Sequence, residues 1–265
     1  MKAQVETAIR CHAEECYPEE SCGFLIRVGD KESYYPCKNE SVEPEEHFRI
    51  GARQWIAAEA VGQILAVVHS HPDWTAKPSE ADLARCESSG LPWYIIECRG
   101  GVSGALERIE PHGYVAPLLG RSFHHGTLDC LQIILDYYER EMGIHLGQYD
   151  REDDWWNQGK DYYRELLPKA GFYEVKPEDL QQGDVILMQI DSPVPNHAGV
   201  YLADGQLKTE DCYPQPGVIL HHLYNRLSKR DNYGGYWHDV TVGYWRHKDA
   251  NREDQNYPAL RNPGN

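Results

Sequence analysis

The stretch that most constrains this chain is Ala66-Val67-Val68-His69-Ser70-His71-Pro72, followed after seven residues by Ser79-Glu80-Ala81-Asp82. A short apolar run ending in two histidines at i and i+2 reads as a strand, and on a strand both rings leave the same face. Pro72 to Pro78 is turn-prone, and Ser79 then opens a helix with Asp82 three residues inside it. Two imidazoles and one carboxylate can therefore meet at one point with a fourth position left open. That is the donor set of a catalytic zinc site, whereas a structural site closes all four positions. A plainer reading uses the same residues: Ser-x-x-Asp is a capping box, and paired histidines at a strand end are ordinary surface residues. The two readings are compatible, because Ser79 can cap while Asp82 ligates.

The spacing His69-x-His71-x7-Ser79-x2-Asp82 resembles the signature of the JAMM (JAB/MPN) metalloproteases. That family also carries an upstream glutamate in a Glu-x-Cys-Gly context, and Glu20-Ser21-Cys22-Gly23 stands here before the apolar Phe24-Leu25-Ile26. The resemblance covers residues 1–110. It implies a cytidine-deaminase-like mixed-sheet domain with one Zn²⁺ on His69, His71 and Asp82. It also implies Glu20 as general base, with Glu19 as the alternative, and Ser79 as donor to the oxyanion of an amide or isopeptide substrate.

Around these motifs the periodicity predicts a mixed α+β and α/β chain. Val5, Ala8, Ile9, His12 and Cys16 recur at helical spacing over residues 1–16. Strands are expected at Cys22–Val28, Ser33–Pro36, Phe48–Ile50, Ile64–Val68, Trp93–Glu97 and Gly104–Glu107, with helices at Ala52–Val61 and from Ser79 to Glu87. Residues 111–120 read as a linker, 121–248 as a second domain, and 249–265 as a flexible acidic tail.

The second domain has its own chemical centre. A turn-rich approach through Gly126 and Thr127 runs into an apolar helix that starts near Asp129, with Cys130 in its first turn. There the helix dipole and free backbone N–H groups favour a thiolate; the plainer reading is a packed helix-start cysteine. Gln182-Gly183-Asp184 is a turn, Val185–Met188 a strand, and Asn196–Leu202 a second strand that begins with His197, placed to act as base to Cys130. A third strand, Val218–His222, offers a polar residue to orient His197. His221 and His222 face opposite sides of it, so only one can serve.

Asp129-Cys130, Gly183-Asp184 and His197-x-Gly199-x-Tyr201 resemble the NlpC-type cell-wall cysteine peptidases. Two features depart from that family: Leu131-Gln132 follows the cysteine, and an extra segment, Lys208–Gly217, precedes the third strand. The resemblance implies a papain-like α+β fold, Cys130 as nucleophile, His197 as proton shuttle and a peptidoglycan stem peptide as substrate. His221 is taken as the third residue because it follows two apolar ones, Ile219 and Leu220, as the family's residue does.

Composition sets outer bounds. The formal charge of −16 argues against a nucleic-acid partner. No apolar run reaches the length of a membrane span, and the N-terminus lacks a signal-peptide core, so a soluble protein made in the cytoplasm is expected. The eight cysteines include no Cys-x-x-Cys pair, and Cys11, Cys16 and His12 are a weak alternative metal cluster. The order and length of the two domains resemble the tail-tip assembly proteins of lambda-like phages. That resemblance implies a place in the virion tail tip, other tail-tip proteins as partners, and hydrolysis of stem peptides or of a tail protein. Two competing readings are a structural assembly protein with vestigial sites and a deubiquitinase-like isopeptidase.

Overall fold

The apolar run and its two histidines form one strand in the computed structural model, which describes residues 2–149 and 154–250. The chain divides into two units, Met1–Ala116 and Pro117–Asn265. In the first unit the elements run α1 (Ala3–Cys16), β1 (Cys22–Val28), β2 (Lys31–Cys37), α2 (Ala52–Val61), β3 (Gln63–Pro72), α3 (Glu80–Ser89), β4 (Trp93–Arg99) and β5 (Val102–Ile109). They build a five-stranded mixed sheet in the order β2-β1-β3-β4-β5. Only β3 and β4 are parallel, joined across α3 in the manner of a crossover connection.

Strand parity sorts β3 into two faces. Ala66 and Val68 pack with Val5, Ile9 and Ala13 of α1, whereas Val67 packs with Phe24, Ala58 of α2 and Cys86 of α3. His69 and His71 share the parity of Val67 and so lie on the α3 side. The inward stripe of α1 is Val5, Ile9 and Ala13; Ala8, expected inside, is exposed. Phe48–Ile50 is not a strand. Its backbone is held by Asn39, whose side chain accepts from Arg49 N–H at 3.1 Å and donates to His47 C=O at 2.9 Å, so the groups a ladder would use are taken. Phe48 itself is buried.

The second unit contains α4 (Cys130–Met142), α5 (Tyr162–Lys169), β6 (Phe172–Val175), β7 (Val185–Met188), β8 (His197–Leu202), β9 (Val218–His221), β10 (Lys229–Asn232), α6 (Tyr236–Asp239) and β11 (Thr241–His247). Its six strands run in the order β10-β9-β8-β7-β11-β6, every neighbouring pair antiparallel. Ile133, Ile134, Tyr137 and Tyr138 of α4 pack on Val185, Leu187, Ala198, Val200, Leu220 and Trp245, while Ile186, Met188, Ile219 and Tyr244 line the opposite face. Residues 111–120 carry no helix or strand, and the chain's division falls inside them. From residue 251 onward, the stretch read as a tail lies outside the described residues.

The Gly183-Asp184 turn is a structural anchor. Asp184, 1% exposed, receives Arg246 Nε and Nη2 at 2.8 Å each, a bidentate pair that ties the start of β7 to β11. Arg246→Met leaves a buried carboxylate without its cation, and a loss of about 3–5 kcal/mol is expected. The shift of the urea midpoint of the full chain, with the slope unchanged, measures it.

Candidate metal centre and cysteine centre

In the first unit the register decides what meets what. Cys22 pairs with His69 across the antiparallel β1–β3 ladder, so two residues further along Glu20 lies across from His71. Ser21 and Ser70 lock this end: Ser70 N–H donates to Ser21 C=O at 3.0 Å, and Ser21 N–H donates to Ser70 Oγ at 2.8 Å. Glu20 is buried and Glu19 exposed, which separates the two candidate bases by position.

His69 Nε2 lies 3.1 Å from His71 Nε2, and Asp82 brings Oδ1 to 3.1 Å from His69 and Oδ2 to 3.3 Å from His71. Ligand atoms about 2.0–2.1 Å from a tetrahedral ion sit about 3.3 Å from one another, so these spacings are those of ligands around one centre. The tautomers agree. His71 Nδ1–H donates to Thr75 C=O at 2.8 Å, which leaves the Nε2 lone pair of a neutral ring pointing inward. With the His69 proton on Nδ1, both Nε2 lone pairs face one point, where a cation can lie between them. The residues present therefore fit a divalent ion of zinc's type, and they are the one such group among the described residues. Cys11 and Cys16 join no such group, and His12 Nδ1 is engaged with Tyr34 Oη at 2.8 Å.

Helix capping orients the carboxylate. Ser79 Oγ accepts from Asp82 N–H at 3.1 Å, while Ser79 N–H and Oγ–H both donate to Asp82 Oδ2 at 2.7 Å. Capping and ligation thus coexist, but the Ser79 hydroxyl is held on Asp82 in this arrangement. Burial would raise the Asp82 carboxyl, yet the two imidazoles outweigh it and hold it well below the usual range. Burial pushes Glu20 up to about 8, with His71 opposing and Asp82 adding to the rise. Phe48 stacks on His69 at 4.6 Å between centroids and Trp93 meets its edge at 5.5 Å, walling the ring on both sides. His69 Nδ1 has no hydrogen-bond partner among the described residues.

In the second unit Cys130 is the first residue of α4, and Asp129 is its N-cap. Asp129 Oδ1 accepts from Leu131 N–H at 3.0 Å and Gln132 N–H at 2.9 Å. Two of the helix-start donors expected to favour a thiolate are therefore occupied by a carboxylate. A group not anticipated from sequence contacts the thiol: Tyr163 Oη lies 3.2 Å from Cys130 Sγ. Cys130, Tyr163 and His197 line one cavity of about 210 Å³, walled by Leu131, Ile134 and Trp155.

Behind the cavity, His197 Nε2 lies 3.0 Å from His221 Nδ1, and His221 Nε2 lies 3.1 Å from Asp231 Oδ2. His222 turns the other way, with Nε2–H donating to Arg226 C=O at 3.1 Å and Phe123 at its edge. His221, not His222, is thus the one against His197. Gly199 makes room for it: a Cβ there would lie 2.9 Å from His221 Cβ. Asp231 was missed because Lys-Arg-Asp-Asn, the whole of β10, carries no apolar period. Burial lowers His197 far below its ordinary value and lowers His221 as well.

Residues 2–107 match prokaryotic homologs of the JAB domain, and residues 120–246 match the NlpC/P60 family. The chain is 38% identical over 252 residues to tail tip assembly protein K of Escherichia phage N15, covering 94% of this chain and 97% of that one. It is 40% identical over 194 residues to tail tip assembly protein K of Escherichia phage lambda, covering 73% and 87%. A protein of Desulfitobacterium hafniense solved in solution is 25% identical over 41% of this chain and 88% of its own, at a TM-score of 0.32.

Buried neutral histidines make the second unit acid-sensitive. Burial, and then the Arg121 guanidinium, lower His222 to about 4. Between that value and the ordinary ~6.5 the unfolded chain binds more protons than the folded one, so stability is full above ~6.5 and falls as pH drops toward 4. Thermal unfolding of the full chain across this window is expected to show that fall, and His222→Gln to make it shallower.

Proposed function

This chain belongs to the tail tip assembly protein K family, and on that premise we propose that it is a peptidase of the phage tail tip with two active centres. The observation that carries the reading is the His197–His221 contact of 3.0 Å behind a cavity shared by His197 and Cys130. Cys130 Sγ attacks an amide carbonyl as its proton passes to His197. The C–S bond forms, the C–N bond breaks, and His197 returns the proton to the leaving amine; water then hydrolyses the thioester by the reverse path. The Cys130 backbone N–H is the candidate oxyanion donor. The substrate is a peptidoglycan stem peptide or a tail protein, and the partners are other tail-tip proteins. Among the described residues no helix is long and apolar enough to cross a membrane.

A second activity in the same chain is supported by the tetrahedral spacing of His69, His71 and Asp82. Zn²⁺ held there would supply Lewis-acid polarisation and an activated water. Glu20, buried across from His71, would serve as general base to such a water and hand its proton to the leaving amine, the cation's charge offsetting the burial that otherwise raises its carboxyl to about 8. Ser79 orients Asp82 through the capping box, and its hydroxyl is the candidate donor to the oxyanion once it leaves Oδ2. Thr75 C=O keeps His71 in the tautomer that presents Nε2.

Purified peptidoglycan incubated with wild type, Cys130→Ala and His69→Ala, with products read by mass, tests the cysteine centre. Stem-peptide fragments are expected from wild type and His69→Ala, with a loss of roughly 10³-fold or more in Cys130→Ala. Digestion by Cys130→Ala at the wild-type rate would count against the reading. For the metal centre, Glu20→Gln is expected to keep one zinc per chain while (iso)peptide hydrolysis falls by about 10²–10⁴-fold. Metal content by elemental analysis checks it, since lost zinc would make Glu20 structural instead.

A further inference from the structure

We propose that Asp231 is a positioning residue of the cysteine centre, fixing through His221 which nitrogen of His197 carries the proton. The inference rests on the reading of Cys130 as a nucleophile and adds to it the direction of every hydrogen bond behind the base.

The direction follows from donor and acceptor chemistry alone. As a carboxylate, Asp231 can only accept, so His221 Nε2, 3.1 Å from Oδ2, must carry a hydrogen. A neutral imidazole has one N–H, which leaves His221 Nδ1 as an acceptor. His197 Nε2, 3.0 Å away, must then be the donor. In the neutral His197 ring the remaining nitrogen, Nδ1, holds a lone pair, and it is the nitrogen left to take the Cys130 proton. Reversing any one of these bonds puts an N–H on His197 Nδ1 and removes the base. His221 is fully buried, so water offers its ring no easy alternative partner.

Asp231 is well built for this. It stands on β10, which pairs with β9 in a register that sets Asp231 against Ile219 and Lys229 against His221. Lys229 Nζ lies 2.9 Å from the same Oδ2 that faces His221. An ammonium on that oxygen keeps it an acceptor and holds the carboxylate in place. Trp237 closes the other side of His221, edge to face at 4.6 Å between centroids, and fixes the plane of its ring. The charged or titratable groups around the pair are His222 on the neighbouring residue, Lys229 and Asp231 on β10, and Cys130 across the cavity. None but Asp231 accepts a hydrogen bond from His221 Nε2 among the described contacts.

Two substitutions separate positioning from packing. Asp231→Ala removes the acceptor. Asp231→Asn keeps an oxygen, because Lys229 Nζ favours oxygen over the amide nitrogen at that point, and it loses only the charge. In the full chain, ¹⁵N NMR of the histidine rings, assigned with His197 and His221 variants, reads the tautomers directly. Wild type and Asp231→Asn are expected to show Nε2–H on both rings. Alkylation of Cys130 by iodoacetamide, followed by mass on its own peptide across pH, reads the base. Asp231→Ala is expected to slow it roughly 10-fold or more at neutral pH and to move its profile toward that of a lone thiol, with Asp231→Asn recovering most of the rate. An Nδ1–H tautomer for His221 in wild type overturns the proposal, and so does a wild-type alkylation profile in folded Asp231→Ala. If Asp231→Ala does not fold, the wild-type and Asp231→Asn tautomers decide. An unreactive Cys130 in wild type counts against the peptidase reading, whereas the tautomers test the positioning role by themselves.

Discussion

The metal centre depends on the register of a single antiparallel ladder. Because Cys22 is set against His69, the residues just ahead of β1 fall beside the end of β3, and a buried glutamate arrives across from the second histidine. A slip of one residue would turn His69 and His71 to the α1 side of the sheet and carry them away from Asp82. The ladder is closed at that end by the two Ser21–Ser70 hydrogen bonds, so the position of the chemistry and the end of the pairing are fixed by the same groups. The third ligand then needs only a helix that starts on time, and the capping box at Ser79 both starts the helix and aims Asp82.

The cysteine centre is ordered by polarity rather than by a shared point. Its imidazoles are buried, and His197 uses one nitrogen on a protein neighbour whereas His221 uses both. Burial alone would leave two tautomers for each ring, and only a fixed acceptor or donor at one end makes one of them win. Gly199 matters to this through what it lacks, since any side chain there would press on His221 where the two rings meet. The Asp184–Arg246 pair performs the analogous service for the sheet, holding β7 and β11 in register on the side away from β9 and β10.

Much of this was legible from residue order. His69, His71, Ser79 and Asp82 fall within fourteen residues, so strand parity and helix capping alone bring them together. Val185–Met188 and His197 were readable because apolar runs bounded by turn residues announce strands. Parity allows only one of His221 and His222 without saying which; the resemblance chose His221, and it is that ring which lies against His197. Phe48–Ile50 misled because an apolar–polar–apolar triplet has the period of a strand, while the Asn39 side chain that takes its backbone groups lies some ten residues earlier and leaves no periodic trace. Tyr163 was invisible for a related reason: it reaches Cys130 from a different helix, α5, through one atom.

The case of β10 shows why Asp231 escapes a reading by pattern. It is the outermost strand of its sheet, with one row of backbone groups unpaired by any neighbouring strand. Edge strands are kept from pairing with other chains by charged side chains, and Lys-Arg-Asp-Asn answers that need. The same requirement erases the apolar alternation by which a strand is recognised. A charge demanded by the edge was therefore on hand beside His221, and the Lys229 that guards the edge also holds Asp231 on its oxygen. Two demands, solubility of an edge and polarity of a buried hydrogen-bond chain, are met by one short stretch, and the first conceals the second.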